Sequence, residues 1–185
     1  MCCADAAGVR SASLGLLLLA SGCGGMADDL FPSGADRTPP VVAGSIGPAA
    51  GQLAPDFTLP DVAGGTVSLH AALATADGAV LYFTMWCPIC DAHMSDMRAR
   101  AIPAYPGVRF FAVDYVSGSA AAARAAQVAS GWDVPGFTVL ADTDAAVERF
   151  YSAPMKVVVV GRDGVIRLNG EYTLPRLQAA LEGLP

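Results

Sequence analysis

An apolar stretch that runs directly into a closely spaced cysteine pair constrains this chain more than any other feature. Residues 79–84 have the length and aromatic content of a buried β-strand, and Cys87 and Cys90 follow shortly after them. Two cysteines three positions apart lie on one face of a helical turn, close enough to form or break a disulfide. Pro88 is tolerated in a first helical turn, where a missing backbone N–H costs nothing. The pattern predicts that a strand ends before Cys87 and that a helix begins there.

The predicted position of Cys87 at a helix N-terminus favours the ionised form of its thiol. Unpaired backbone N–H groups and the helix macrodipole stabilise negative charge at this end of a helix. Thiol–disulfide exchange proceeds through a thiolate and a mixed disulfide, so the chemistry needs this stabilisation. A disulfide across two intervening residues adds little to stability, because the gain grows with loop length. We interpret the pair as a redox-active dithiol.

Residues 1–22 have the layout of a secretory signal peptide. Arg10 precedes a leucine-rich core that is too short to span a bilayer, and small residues then lead to Cys23. The run from Leu19 to Cys23 resembles the bacterial lipobox, which implies that Cys23 is lipidated and becomes the mature N-terminus. Gly24 implies sorting to the outer membrane, so the protein is expected to be a periplasm-facing lipoprotein of the bacterial cell envelope. An ordinary cleaved signal that leaves Cys23 free is the alternative.

The rest of the chain divides into a predicted tether and one predicted domain. Residues 23–51 are rich in Gly, Pro, Ala and Asp and lack periodicity, which is typical of a flexible linker. Residues 52–185 have the length of a single domain, and the hydrophobic content of the whole chain, 54% with 15% charge, is ample for a packed core. The net charge of −6, without a basic stripe, argues against a nucleic-acid partner.

Strands alternate with helices along the domain. Residues 54–59 and 66–69 alternate weakly around a Gly-Gly turn and predict a hairpin. Further strands are predicted at 79–84, 108–115, 137–141, 155–160 and 165–168, and helices at 70–76, 88–102, 119–130, 142–151 and 173–181. This order, finished by a hairpin and a helix, predicts an α/β fold with a mixed sheet.

These features resemble the thioredoxin-like superfamily, specifically its extracytoplasmic redoxin branch. That branch includes the TlpA- and ResA-type thiol–disulfide reductases and overlaps the AhpC/TSA peroxiredoxins. The resemblance is carried by the entry strand at 54–59, the Trp-Cys-Pro-Ile-Cys motif at 86–90, residues 151–154 before the valine-rich strand, and the hairpin at 162–166. It implies a thioredoxin-like fold, in which helices flank a central mixed β-sheet and an N-terminal β-hairpin is added.

The resemblance also implies roles for individual residues. Cys87 would be the exposed nucleophile and Cys90 the buried resolving thiol. The groove that binds the extended backbone of a partner would be lined by Trp86, Pro88, Ala153 and Pro154. Pro154 would be a cis-proline that faces the disulfide.

His93 stands where TlpA- and ResA-type proteins often carry a glutamate, three residues after the second cysteine. Its spacing from Cys90 places the two on one helix face, where an imidazole would be able to relay a proton to or from Cys90. A solvated surface histidine is the alternative. Thioredoxins proper carry a buried aspartate six residues before the first cysteine; Leu81 stands there, so that proton path is not expected.

The expected function is that of a thiol–disulfide oxidoreductase, a reductase of protein disulfides without cofactor or metal. Its partners would be protein disulfides or dithiols and an upstream membrane thiol reductant, with the membrane reached through the N-terminal lipid. A thiol-dependent peroxidase is an alternative, since residues 84–87 match the Thr-x-x-Cys motif of peroxiredoxins, although Val80 replaces their proline. A Sco-like copper-binding module is a further alternative; those proteins use a distant histidine, and none follows His93 here.

Overall fold

Five strands form the main sheet in the computed structural model, which describes residues 40–184. The strands are β1 (Thr58–Pro60), β2 (Thr66–Ser68), β3 (Gly78–Thr84), β4 (Val108–Asp114), β5 (Thr138–Ala141), β6 (Lys156–Gly161) and β7 (Ile166–Glu171). The helices are α1 (Leu69–Leu73), α2 (Pro88–Asp96), α3 (Ile102–Ala104), α4 (Ala120–Ala129), α5 (Ala146–Tyr151) and α6 (Leu174–Glu182). The predicted signal peptide, Cys23 and the first part of the predicted tether lie outside the described residues.

The main sheet has the order β5-β4-β3-β6-β7 and is mixed. β3 pairs parallel with β4, and β4 with β5, whereas β3 pairs antiparallel with β6, and β6 with β7. The register aligns Gly78 with Val108 at one end of the central pair and Thr84 with Asp114 at the other. This topology, with helices around a central sheet, confirms the predicted thioredoxin-like architecture.

Two apolar layers cover the two faces of the sheet. Side chains alternate along β3, so that Leu81 and Phe83 enter one layer while Val80 and Tyr82 enter the other. The first layer also contains Leu69 of α1 and side chains of α5. The second contains Cys90 and residues of α2 and α6. The cysteine pair is therefore attached directly to the buried centre of the sheet.

The predicted N-terminal hairpin is present as the antiparallel pair β1–β2. It lies along the free edge of β5, where Asp61 bridges Leu140 and the N–H of Val62 donates to the carbonyl of Val139. Covering an edge strand in this way satisfies backbone groups that would otherwise be open to another chain.

The last part of the predicted tether is hydrogen-bonded to the C-terminal hairpin. The N–H of Gly51 donates to the carbonyl of Ile166 at 2.8 Å, and the N–H of Ile166 donates to the carbonyl of Gln52 at 2.9 Å. Leu53 also bridges Val165. Glycine and proline mark ordered turns as well as linkers, so composition alone does not separate the two.

The helix that follows the cysteine pair runs further than the sequence predicts. After α2, residues Met97–Ala101 form a π-helical turn, and α3 contains Pro103, before which the helix is predicted to end. Pro103 lies in the first turn of α3, where its missing N–H is tolerated. Within residues 40–184, no helix combines the length and apolar character that crossing a membrane requires.

Candidate active site

The start of α2 places Cys87 where a helix offers unpaired N–H groups. Cys87 is the N-cap, with extended backbone, and Pro88 occupies the first turn. The backbone N–H of Cys90 donates to the Sγ of Cys87 at 3.2 Å, and the N–H of Asp91 donates to the carbonyl of Cys87 at 2.9 Å. The cysteine sulfur thus accepts the capping hydrogen bond that a serine or aspartate oxygen usually accepts at an N-cap. The same contact would stabilise a thiolate on Cys87.

Cys87 and Cys90 are joined by a disulfide, with their Cα atoms 5.0 Å apart. Their environments differ, because Cys90 is fully buried in the apolar layer whereas Cys87 is only partly covered. A partner molecule is therefore able to reach Cys87 from solvent and has no direct access to Cys90.

A cavity of about 270 Å³, here called the tryptophan cavity, opens beside the disulfide. It is lined by Thr84, Trp86, Cys87, Pro88, Cys90, Asp91, Met94, Ser130 and Trp132. Both indole N–H groups are anchored to carboxylates, that of Trp86 to Asp114 at 2.6 Å and that of Trp132 to Asp91 at 2.8 Å. Hydrogen bonds between N–H groups and ionised carboxylates are stronger than neutral ones, so both rings are held in place.

Asp114 holds more than the Trp86 ring. Its side chain is 1% exposed and also accepts the N–H groups of Val116 and Ser117, each at 2.9 Å, and the Ser117 hydroxyl. A buried carboxylate is tolerated when donors satisfy its oxygens. Asp114 ends β4 directly beside Thr84 at the end of β3, so it connects the site to the central strands.

A second cavity, of about 350 Å³, lies on another side of α2 and is here called the proline cavity. It is lined by Ile89, His93, Pro154, Met155, Lys156, Glu171 and Tyr172. Met155 links it to the cysteine pair, since its Sδ lies 3.8 Å from the Sγ of Cys87. The predicted groove residues are thus divided: Trp86 and Pro88 line the tryptophan cavity, Pro154 lines the proline cavity, and Ala153 is fully buried and lines neither.

Non-glycine residues with left-handed backbone occur on both sides of the disulfide. Trp86 has φ of 58°, and Ser152 and Met155 have φ of 46° and 56°. Each such residue costs roughly 1–2 kcal/mol relative to the right-handed conformation. Strain of this kind persists only where the surrounding structure imposes it, and it concentrates at functional sites.

His93 lies on the side of α2 that faces the proline cavity. Its Nδ1 shares a hydrogen bond of 3.0 Å with the hydroxyl of Tyr82, and its ring lies 4.6 Å from that of Tyr172. Burial lowers the pKa of His93, and the nearby Asp96 opposes this only in part, so the imidazole is neutral at neutral pH. Between residues 40 and 184, no hydrogen bond joins His93 to either cysteine sulfur.

The sequence-based prediction does not include Trp132, Met155 or the two carboxylates Asp91 and Asp114 that anchor the indole rings. Trp132 and Asp114 line or support the tryptophan cavity, and Met155 contacts Cys87. Two signals in the sequence mark candidates: Trp132 is one of only two tryptophans, and Met155 directly follows Pro154. Neither signal shows which residues meet in space.

Comparison with known proteins shows which family the chain belongs to. A profile of the AhpC/TSA family matches residues 50–169. No curated protein matches the sequence significantly.

Solved structures share the fold at low sequence identity. A protein assigned as the thiol:disulfide interchange protein DsbE of Chlorobium tepidum is 26% identical, with a TM-score of 0.56 over 72% of this chain and 98% of that one. A secreted Mycobacterium tuberculosis disulfide oxidoreductase homologous to E. coli DsbE is 23% identical, with a TM-score of 0.52 over 69% and 96%. MTB DsbF is 22% identical, with a TM-score of 0.57 over 70% and 95%. At these last two identities the likeness shows the fold alone.

The sheet topology and the disulfide-bonded Cys-x-x-Cys pair at the start of α2 define a thiol–disulfide oxidoreductase of the thioredoxin-like class. The profile match covers most of the domain, and the chain belongs to the AhpC/TSA family. Both findings confirm the resemblance that the sequence shows.

Proposed function

We propose that the protein reduces disulfides of protein substrates, with Cys87 as nucleophile and Cys90 as resolving thiol. The observation that carries this proposal is the difference in access between the two sulfurs. Cys87 is partly exposed and capped by a backbone N–H, whereas Cys90 is fully buried one helical turn away. In the dithiol form, only Cys87 is both accessible and electrostatically favoured as a thiolate.

The reaction has two exchange steps. The Cys87 thiolate attacks one sulfur of the substrate disulfide, forms a mixed disulfide, and releases the other substrate sulfur as a thiolate that takes up a proton. Cys90 then loses its proton and attacks the Sγ of Cys87, which releases the second substrate thiol. The enzyme is left with the Cys87–Cys90 disulfide, and two electrons have moved to the substrate.

The walls beside the pair fit a peptide substrate. In this proposal Trp86, Pro88 and Pro154 shape the place where an extended backbone docks, with Pro154 exposed at the proline cavity and Ala153 buried directly before it. His93 would relay a proton to or from Cys90, since its neutral imidazole is able to accept one.

The proposed setting is the bacterial cell envelope. A signal peptide at 1–22, lipidation of Cys23 and a tether beyond it would hold the domain on the periplasmic side of a membrane, the outer membrane by preference. A membrane thiol reductant would return electrons to Cys87 and Cys90. The M. tuberculosis neighbour is a secreted protein, which is consistent with an extracytoplasmic setting.

Two serine variants test the assignment of roles. Cys87→Ser should abolish reduction of insulin disulfides, because no accessible sulfur remains. Cys90→Ser should keep the nucleophile but lose the resolving thiol, so it should accumulate a mixed disulfide with the substrate that mass spectrometry locates at Cys87. Insulin reduction by the Cys87→Ser variant would contradict the proposal.

A thiol-dependent peroxidase is the second candidate, because residues 84–87 match the Thr-x-x-Cys motif of peroxiredoxins. The Thr84 hydroxyl of the Thr-x-x-Cys motif accepts the N–H of Trp86 at 3.1 Å. The Cys87 sulfur is at the same time paired with Cys90. NADPH-coupled turnover of hydrogen peroxide that survives Cys90→Ala would establish this function, since a peroxidase needs only the attacking thiol for its first step.

A further inference from the structure

We propose that the reduced protein binds one Cu(I) ion through three sulfur atoms, those of Cys87, Cys90 and Met155. This site goes beyond the proposed disulfide exchange, and it replaces the distant histidine of the Sco-like alternative with a thioether. The observation behind it is the 3.8 Å separation between the Sδ of Met155 and the Sγ of Cys87.

The separation of the sulfurs suits a metal between them. Metal–thiolate bonds are about 2.3 Å long, so two sulfurs of a trigonal site lie roughly 4 Å apart. When the disulfide is reduced, the sulfurs of Cys87 and Cys90 separate and the thioether of Met155 is already beside the first of them. Cys90, which is bonded to Cys87 in the disulfide, supplies the third sulfur.

The chemistry of the donors selects Cu(I). Thiolates and thioethers are soft ligands, which favour Cu(I) over hard cations. Zinc needs four ligands, and the part of the chain from 40 to 184 offers no group of three or more His, Cys, Asp or Glu side chains placed to hold a metal. The N-terminus of α2 also favours the net negative charge of a Cu(I) bound to two thiolates.

The conformation of Met155 holds the thioether beside the cysteines. The residue has a left-handed backbone with φ of 56°, immediately before β6. Its side chain is 39% exposed, so an ion is able to approach from solvent.

Binding moves protons and no electrons. Exchange with the thiol reductant proposed above, which supplies two electrons, converts the Cys87–Cys90 disulfide into the dithiol; each thiol then releases its proton to solvent as its sulfur bonds to copper, and copper stays in the Cu(I) state. Because the same two sulfurs serve both reactions, bound Cu(I) and a substrate disulfide exclude each other. The site would therefore couple disulfide reduction to the local supply of Cu(I).

Met85 provides a matched control for the test. It is 44% exposed, close to the value for Met155, but lines neither cavity. The full chain should carry serine at Cys2, Cys3 and Cys23, so that only the Cys-x-x-Cys pair offers thiolates. The reduced protein is titrated anaerobically with Cu(I) against a chromophoric Cu(I) chelator.

The parent should bind one Cu(I). Met155→Leu should weaken its affinity roughly tenfold or more, and Met85→Leu by no more than about twofold. Equal affinity of the Met155→Leu variant and the parent would overturn the proposal.

Selenomethionine labelling gives a second readout that does not depend on the folding of the Met155→Leu variant. X-ray absorption at the copper edge should show one selenium among the nearest neighbours of copper in the labelled parent, and the same selenium in labelled Met85→Leu. A copper ion with sulfur neighbours only would overturn the site.

Discussion

The tryptophan cavity and the proline cavity lie beside the same cysteine pair, but their walls are held in different ways. In the first, two indole rings are anchored to carboxylates, one of them buried and fully satisfied by donors. In the second, the wall consists of exposed side chains such as Ile89 and Met155, beside a titratable imidazole. Hydrogen bonds thus fix one side of the site, while the other offers apolar surface and a group that changes charge.

This difference indicates that the two sides of the site have different roles. The anchored side holds the Trp86–Cys87 backbone, and therefore the nucleophile, at the start of α2. The exposed side is the one where partners and ions are expected to bind. Substitutions on the first side should then act mainly on stability, and those on the second mainly on binding and on pH dependence.

The largest expected effect is that of Asp114→Ala. Removing the buried carboxylate leaves the Trp86 indole, two backbone N–H groups and a hydroxyl without their acceptor. The free energy of unfolding should fall by about 3 kcal/mol, measured by urea denaturation. The control is Asp91→Ala, which removes an exposed acceptor of Trp132 only and should cost about 1 kcal/mol or less. Equal decreases in the free energy of unfolding of the two variants would show that the hydrogen bonds of the buried Asp114 stabilise the fold no more than that of the exposed Asp91.

Pro154→Ala should act on substrate binding more than on folding. We expect kcat/KM for insulin reduction to fall roughly tenfold, because the exposed wall of the proline cavity loses its rigid ring. Pro106→Ala is the matched control, since Pro106 precedes β4 at the end of the sheet opposite to Thr84 and Asp114. Pro106→Ala should lower stability by about 1 kcal/mol or less through chain entropy, and kcat/KM is compared under conditions where both variants are folded. Equal kcat/KM values for the two variants would exclude the proline cavity as the docking side.

The smallest effect concerns the pH dependence of stability and His93. Burial lowers the pKa of His93, so below the ordinary value of about 6.5 the unfolded chain binds a proton that the folded protein resists. Above about pH 6.5 the imidazole is neutral in both states, and the folded protein has its full stability. As the pH falls below about 6.5, the unfolded chain takes up the proton more readily, and the free energy of unfolding decreases.

His93→Gln should therefore lose less stability than the parent between pH 7 and pH 5, as urea denaturation at the two values would show. A His93→Gln profile that matches the parent would mean that this imidazole is solvated in the folded protein.

The sequence predicts the elements of this fold well where local patterns decide them. The valine run of β6, the apolar β3 and the serine cap of α4 are all visible in short stretches, and each is present in the structure. The π-helical turn before Pro103 is not visible in the sequence. A single proline predicts the end of a helix only when the preceding turn has ordinary α-helical hydrogen bonds.

Several residues that line the two cavities were not predicted, for a different reason. Trp132 and Asp91 are 41 residues apart, and Met155 and Cys87 are 68 apart. Such pairs meet only when the sheet order is known, and no local pattern contains it. The Cys-x-x-Cys spacing marks the cysteines, and the resemblance to the redoxin branch adds Pro154, but neither indicates the carboxylates that hold the indoles.

The proposed disulfide exchange requires that Cys87 is held as a thiolate at the start of α2 while Cys90 is shielded. Timed alkylation of the reduced protein at neutral pH, with serine at the other three cysteines and peptide mapping by mass spectrometry, tests it most directly. Free cysteine is only about 3% ionised at neutral pH, so we expect Cys87 to react several-fold faster than free cysteine and Cys90 to stay unmodified. If both thiols instead react as slowly as free cysteine, the pair is an inert crosslink and the account is wrong.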